Sequence, residues 1–133
     1  MSAQVDAIYM LTADETLRVY SAAGGWEQFP DLTEGEEYSF QVELRNLEAE
    51  PNWLSLRTSD QNSLKGGLDV TTKEVVPAGD TMFVDVPSAK MPSRPNRTLF
   101  EVWTSTGRQQ RLETVLPFQL VGKPPELPWK PEY

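Results

Sequence analysis

Two residue types are missing altogether: the chain of 133 residues contains no cysteine and no histidine. Without cysteine there can be no disulfide, no thiolate metal ligand and no thiol nucleophile. Without histidine the chain lacks the side chain that titrates nearest neutral pH, the commonest general base and metal ligand. Few catalytic schemes survive both absences. Bases are also in short supply, with 12 Lys and Arg against 20 Asp and Glu and a formal charge of −8. Phosphate neutralisation needs clustered bases, so this balance argues against a nucleic-acid partner. Long apolar runs are absent as well. No stretch approaches the roughly 18 apolar residues that cross a bilayer, and no membrane partner is expected.

The first twenty residues, "MSAQVDAIYMLTADETLRVY", show neither a basic n-region nor the apolar core of a signal peptide. The expectation is a protein that stays where it is made or is assembled there. One N-glycosylation triplet, Asn96-Arg97-Thr98, is best explained by chance in that setting.

What is present is strand-forming sequence. In "EYSFQVELRN", Tyr38, Phe40, Val42 and Leu44 alternate with Ser39, Gln41, Glu43 and Arg45. A period of two marks a strand with one buried and one wet face. "WLSLRT" repeats it with Leu54 and Leu56 inward; "GLDVTT" follows with Leu68 and Val70, then "KEVVPAGDTMFVDV". In that last stretch Pro77-Ala78-Gly79-Asp80 has turn chemistry, because proline presets φ and glycine accepts a positive one. "RTLFEVWTSTGRQQRLETVLPFQLV" reads as a hairpin turning at Thr106-Gly107, with Phe100 and Val102 on one face and Leu99 and Trp103 on the other. Its return strand would face inward at Leu112, Thr114, Leu116, Phe118 and Leu120. Pro117, on the opposite parity, cannot donate to a ladder and marks an edge or a change of sheet. "VDAIYML" and "TLRVY" are two further candidate strands.

Helix periodicity is weak throughout. The expected fold class is all-β, an antiparallel sandwich of about seven to eight strands with an extended Pro-rich C-terminal arm. Residues 1–121 form its single domain, with 1–20 either inside the sandwich or an extended N-terminal arm, and residues 122–133 form the C-terminal arm. "EGEEYSFQVELRN", followed by "SLRTSD", "VVPAGDTMFVDV" and a closing "FEVWTS" hairpin, resembles bacterial and phage immunoglobulin-like domains over roughly residues 34–120. The resemblance implies an immunoglobulin-like sandwich without the antibody-type cysteine pair. Function has to come from sites, not from the fold.

Motifs for chemistry are weak. Asp60-Gln61-Asn62-Ser63 with Gly66 and Gly67 is oxygen-rich, but it lacks the central glycine and closing glutamate of a calcium loop and reads as a polar turn. The N-terminal acids read as solvated surface rather than a catalytic carboxylate pair. No phosphate-cradling or nucleophile-elbow pattern occurs. The expectation is no enzyme, no cofactor and no metal.

Charge and aromatics say more. Asp6, Asp14, Glu15, Glu27, Asp31, Glu34, Glu36 and Glu37 crowd the first third, while Lys90, Arg94, Arg97, Arg108 and Arg111 lie close together later. These are either two solvated faces of opposite sign or an acidic face of one subunit that meets a basic face of another. Trp53 and Trp103 occupy strand parities opposite the apolar faces; they either fill the edge of the core, which is the expectation, or make an exposed aromatic patch. Trp26, beside Phe29 and Pro30, falls in an irregular stretch and either clamps its own loop or anchors a partner. The chain closes on "VGKPPELPWKPEY", a stiff extended arm bearing Leu127, Trp129 and Tyr133. Such an arm loses little entropy on docking, and three accounts compete: it packs across an open sheet edge of its own domain, it reaches onto a neighbouring copy or another protein, or it is a disordered end.

The expected partner-binding residues are therefore Trp26, Phe29, Arg94, Arg97, Leu127, Trp129 and Tyr133. The expected partner is protein: further copies, or a capsid or scaffold on which the chain is an oligomer or lattice-bound. What the phage resemblance implies is an auxiliary virion component, a capsid decoration or cement protein. The virion is then its location, with the cytoplasm as the alternative. A carbohydrate- or peptide-binding sandwich using Trp53, Trp103 and Tyr38 is the other reading.

Overall fold

The computed structural model describes residues 2–27, 32–60, 70–93, 96–106 and 109–124. Among them nine strands follow in order: β1 (Ala3–Thr12), β2 (Thr16–Ser21), β3 (Gly25–Trp26), β4 (Glu37–Asn46), β5 (Asn52–Asp60), β6 (Val70–Val76), β7 (Thr81–Lys90), β8 (Asn96–Thr106) and β9 (Gln109–Leu120). They make two antiparallel sheets, one ordered β3-β2-β1-β4-β7 and the other β6-β5-β8-β9. The result is an all-β antiparallel sandwich compatible with an immunoglobulin-like domain.

Alternation decides which face is buried. Tyr38, Phe40, Val42 and Leu44 of β4 oppose Leu54 and Leu56 of β5 and Phe100 and Val102 of β8 across the interior. Fully burying one such side chain contributes ~1.5–3 kcal/mol. Edge-to-face rings tie the layers: Phe40 stands perpendicular to Phe100 at 5.3 Å and close to perpendicular to Phe118 at 5.9 Å. The described N-terminal residues belong to the sandwich: β1 is the middle strand of its sheet and buries Val5, Ile8 and Met10, and β2 pairs with it.

Asn46 stitches the end of the sandwich. Wholly buried, its Nδ2 donates to the carbonyls of Glu50, Val76 and Pro77, and its Oδ1 accepts the Glu48 amide. The Pro77–Asp80 turn answers with Gly79 N–H to Asn46 O and Asn46 N–H to Asp80 O. Gly79 sits at a φ of 74°, as a type II turn requires at its third residue. The strand-ending Asn and the Pro-Ala-Gly turn, far apart in sequence, thus close one joint between the two sheets.

Two details differ from the sequence reading. Trp26 is not in an irregular stretch: it forms β3, with Tyr20 as its partner residue. The strand begun in "GLDVTT" continues through "KEVV" where described, since β6 runs unbroken from Val70 to Val76. Leu112 does not face inward and is 42% exposed. A bulge explains it: Val102 pairs with Thr114 but Trp103 with Leu112, so Glu113 is the extra residue. Below that point the parity reverses. Pro117 does sit on an edge strand, β9.

Candidate interaction face

The register places side chains on the exterior of the four-stranded sheet in successive rows. Val75, Trp53 and Ser105 lie across from one another, then Lys73, Ser55, Trp103 and Leu112, then Arg57, Glu101 and Val115, and beyond them Leu99 and Pro117, with Arg97 beside Gln119. Both tryptophans therefore face outward, and the core expectation for them fails. Trp53 is 45% exposed and Trp103 is half-buried among its neighbours. Their odd positions on β5 and β8 oppose the interior parity of Leu54, Leu56, Phe100 and Val102, and the β5–β8 pairing has no bulge to turn them in.

Each indole carries a cation. The Lys73 ammonium is 5.2 Å from the Trp53 ring and the Arg57 guanidinium 5.9 Å from Trp103. Pairs of this kind are worth ~0.5–1 kcal/mol at an exposed site and favour the rotamers that bring ring and cation together. Trp103 Nε1 also donates to Glu101 Oε1 at 3.2 Å. With Val75, Leu112 and Val115 exposed alongside, the face is apolar and aromatic with a cationic surplus. The exterior of the five-stranded sheet has the opposite sign. Glu43, Asp85, Glu37, Asp6 and Glu27 lie there against Arg45, Arg18 and Lys90; Lys90 is across from Glu37, and the arginines are paired, with Asp6 at 2.7 Å and Glu27 at 3.0 Å.

The partner residues expected from sequence are scattered over this frame. Arg97 is exposed on the exterior of the four-stranded sheet, at the start of β8. Trp26 is half-buried and packs on its own body, stacked on Phe118 at 4.9 Å and edge-on to Tyr20 at 5.0 Å. This closes the flank between β3 and β9. Phe29, Arg94, Leu127, Trp129 and Tyr133 lie outside the described residues, as does most of the polar loop after Asp60. Tyr38, part of the carbohydrate reading, is buried and stands edge-on to Phe40 at 5.4 Å. It offers no exterior stacking surface.

The foot of the C-terminal arm is pinned to its own domain. Lys123 N–H donates to Leu32 O and Glu34 N–H to Lys123 O, forming a parallel bridge with Thr33, while Gly122 N–H donates to Pro92 O. Gly122 is obligatory at this crossing: a Cβ there would come within 2.7 Å of the Glu34 backbone and of Met91 Cγ.

Sequence reasoning missed Glu113. The bulge turns its carboxylate inward, where the side chain is 2% exposed. Oε1 accepts from the Thr104 hydroxyl at 2.8 Å, Oε2 from the Ser2 amide at 3.1 Å, and Arg111 Nε lies 4.0 Å away. Burial pushes this carboxyl up, but the two hydrogen bonds and the Arg111 charge outweigh it and hold it below its ordinary value. No signal in the sequence distinguishes Glu113 from the outward-facing acids. Beside it lies an open cleft of about 370 Å³ lined by Ser2, Glu48, Glu50, Asn52, Thr104 and Arg111. Among the described residues no group of three or more carboxylates is arranged to hold a metal ion.

No protein-family model matches the chain, and the search of curated proteins finds no match.

Proposed function

We propose that this chain is a structural interaction protein that docks onto protein surfaces through the exterior of its four-stranded sheet. The observation that carries the reading is the outward pair Trp53 and Trp103, set among Val75, Leu112 and Val115 on a rigid sheet. Contiguous exposed apolar surface of this kind marks interaction sites, and tryptophan leads among interface hot spots. A sheet holds such residues in place before contact, so little ordering cost opposes docking.

The specific form proposed is an auxiliary virion component, a capsid decoration or cement protein, as the likeness to phage immunoglobulin-like domains suggests. On a repeating surface many weak contacts add through avidity. The C-terminal arm would make a second contact from its foot at Lys123. The test is co-sedimentation with particles of the virus that encodes the chain, comparing wild type with Trp53→Ser/Trp103→Ser and with a chain lacking residues 125–133. The wild type should pellet with particles and the double variant should stay in the supernatant while keeping its circular dichroism. The truncated chain should bind more weakly. Equal pelleting of the wild type and the tryptophan variant refutes the face, and no pelleting of the wild type refutes the virion role.

A carbohydrate partner is the second reading, because sugars also stack on indoles. Of its three proposed aromatics only Trp53 and Trp103 share a face, each under a cation. A saturable quench of tryptophan fluorescence by glycans in the isolated protein would favour it.

A further inference from the structure

We infer that the occupant of the four-stranded sheet's exterior is a second copy of this chain, which presents the exterior of its five-stranded sheet. The inference rests on the reading of that face as a docking surface and adds the identity of the partner.

The two exteriors of one molecule are complementary in charge. One exterior face carries Lys73, Arg57 and Arg97 against Glu101, around the two indoles. The opposite exterior carries Glu43 and Asp85 as carboxylates in excess of its two paired arginines and of Lys90, which lies across from Glu37. That acidic face is not purely polar. Phe83, at 56%, is the most exposed large apolar side chain among the described residues, and Tyr9 and Leu11 lie half-buried two strands away. One face thus has its indoles on the two central strands, the other has Phe83 on edge strand β7 with Glu43 between it and Tyr9, and the surplus charges are opposite in sign. Facing sheets pack about 10 Å apart, a gap that Trp53 and Trp103 on one side and Phe83 and Tyr9 on the other are large enough to fill. Docking like faces would instead oppose cations to cations or carboxylates to carboxylates, which costs several kcal/mol.

Because the two faces differ and lie on opposite sides of the sandwich, the contact is heterologous. It leaves each copy with one face free, so copies add head to tail rather than closing as a two-fold dimer.

The test uses the purified full chain in sedimentation velocity over a concentration series. The wild type should form a ladder of species beyond the dimer. Its association should weaken on the order of tenfold between about 0.05 M and 0.5 M salt, since screening acts on the opposed charges. Arg57→Glu/Lys73→Glu blocks one face and Glu43→Lys/Asp85→Lys the other, and all four positions are at the surface. Each variant alone should be monomeric, and a mixture of the two should associate again, because every contact then pairs opposite signs. Circular dichroism of each variant confirms folding. A wild type that stays monomeric across the series overturns the inference. So does self-association that both variants retain, or a mixture that stays monomeric when each variant alone is. The docking-face reading is judged separately by co-sedimentation: a monomeric wild type whose pelleting still depends on Trp53 and Trp103 removes only the second copy as partner.

Discussion

Replacing Glu113 tests whether the β9 bulge creates a buried anionic joint. Glu113→Ala removes the acceptor of the Thr104 hydroxyl and of the Ser2 amide. Thr104 is 3% exposed, so its hydroxyl depends mainly on this acceptor, whereas Ser2 lies nearer the surface. A hydrogen bond to a charged group is worth ~1.5–3 kcal/mol, so Thr104 counts in full and Ser2 in part. Arg111, with its side chain 74% exposed, adds little. The expected loss at neutral pH is ~2–3 kcal/mol for Ala and about half that for Gln, which keeps one acceptor. The sign with pH follows from the depressed carboxyl. Its contribution is fully present above the unfolded value of about 4.3 and is lost as pH falls through the lower folded value. Urea unfolding followed by tryptophan fluorescence at about pH 7, 5 and 3 should therefore show the gap between wild type and Glu113→Gln hold from 7 to 5 and shrink at 3. A gap that is the same at every pH, or an Ala variant within ~0.5 kcal/mol of wild type at neutral pH, refutes the joint.

Asn46→Ala should destabilise by ~2–4 kcal/mol in urea melts, because it strands the buried Val76 carbonyl and weakens the part-buried contacts to the Pro77 carbonyl and Glu48 amide. Asn46→Asp should fail almost as badly, since it cannot donate. Gly122→Ala should cost ~1–3 kcal/mol by overpacking against Glu34 and Met91, and should raise amide exchange at Lys123 before the core opens. Trp26→Ala should cost ~2–3 kcal/mol by removing the ring between Tyr20 and Phe118, measured by thermal unfolding.

The fold was legible where alternation is uninterrupted. β4 and the first half of β8 read straight from sequence because each apolar residue falls on one parity and no bulge intervenes. The Pro77–Asp80 turn was legible because proline and glycine carry their backbone preferences with them. Leu112 and Glu113 were misread for the converse reason: one inserted residue reverses the faces, and no local composition announces it. Trp53 and Trp103 show a different limit. Their outward parity was visible, yet the expectation that large aromatics seek the core overrode it. Register prevailed, because turning the indoles inward would expel Leu54, Leu56 and Val102. Trp26 was placed outside regular structure since a two-residue strand is too short for any periodicity. The interaction face itself is assembled from four strands, and only their register brings Lys73 over Trp53 and Arg57 over Trp103.

The central claim is that the exterior of the four-stranded sheet is covered when the protein is at work. Hydroxyl-radical footprinting of the isolated chain and of the particle-bound chain measures this residue by residue. The account predicts that oxidation of Trp53 and Trp103 falls sharply on assembly while exposed Leu47, which lies outside the strands, reacts as before. Equal oxidation of both tryptophans in the two states would contradict it.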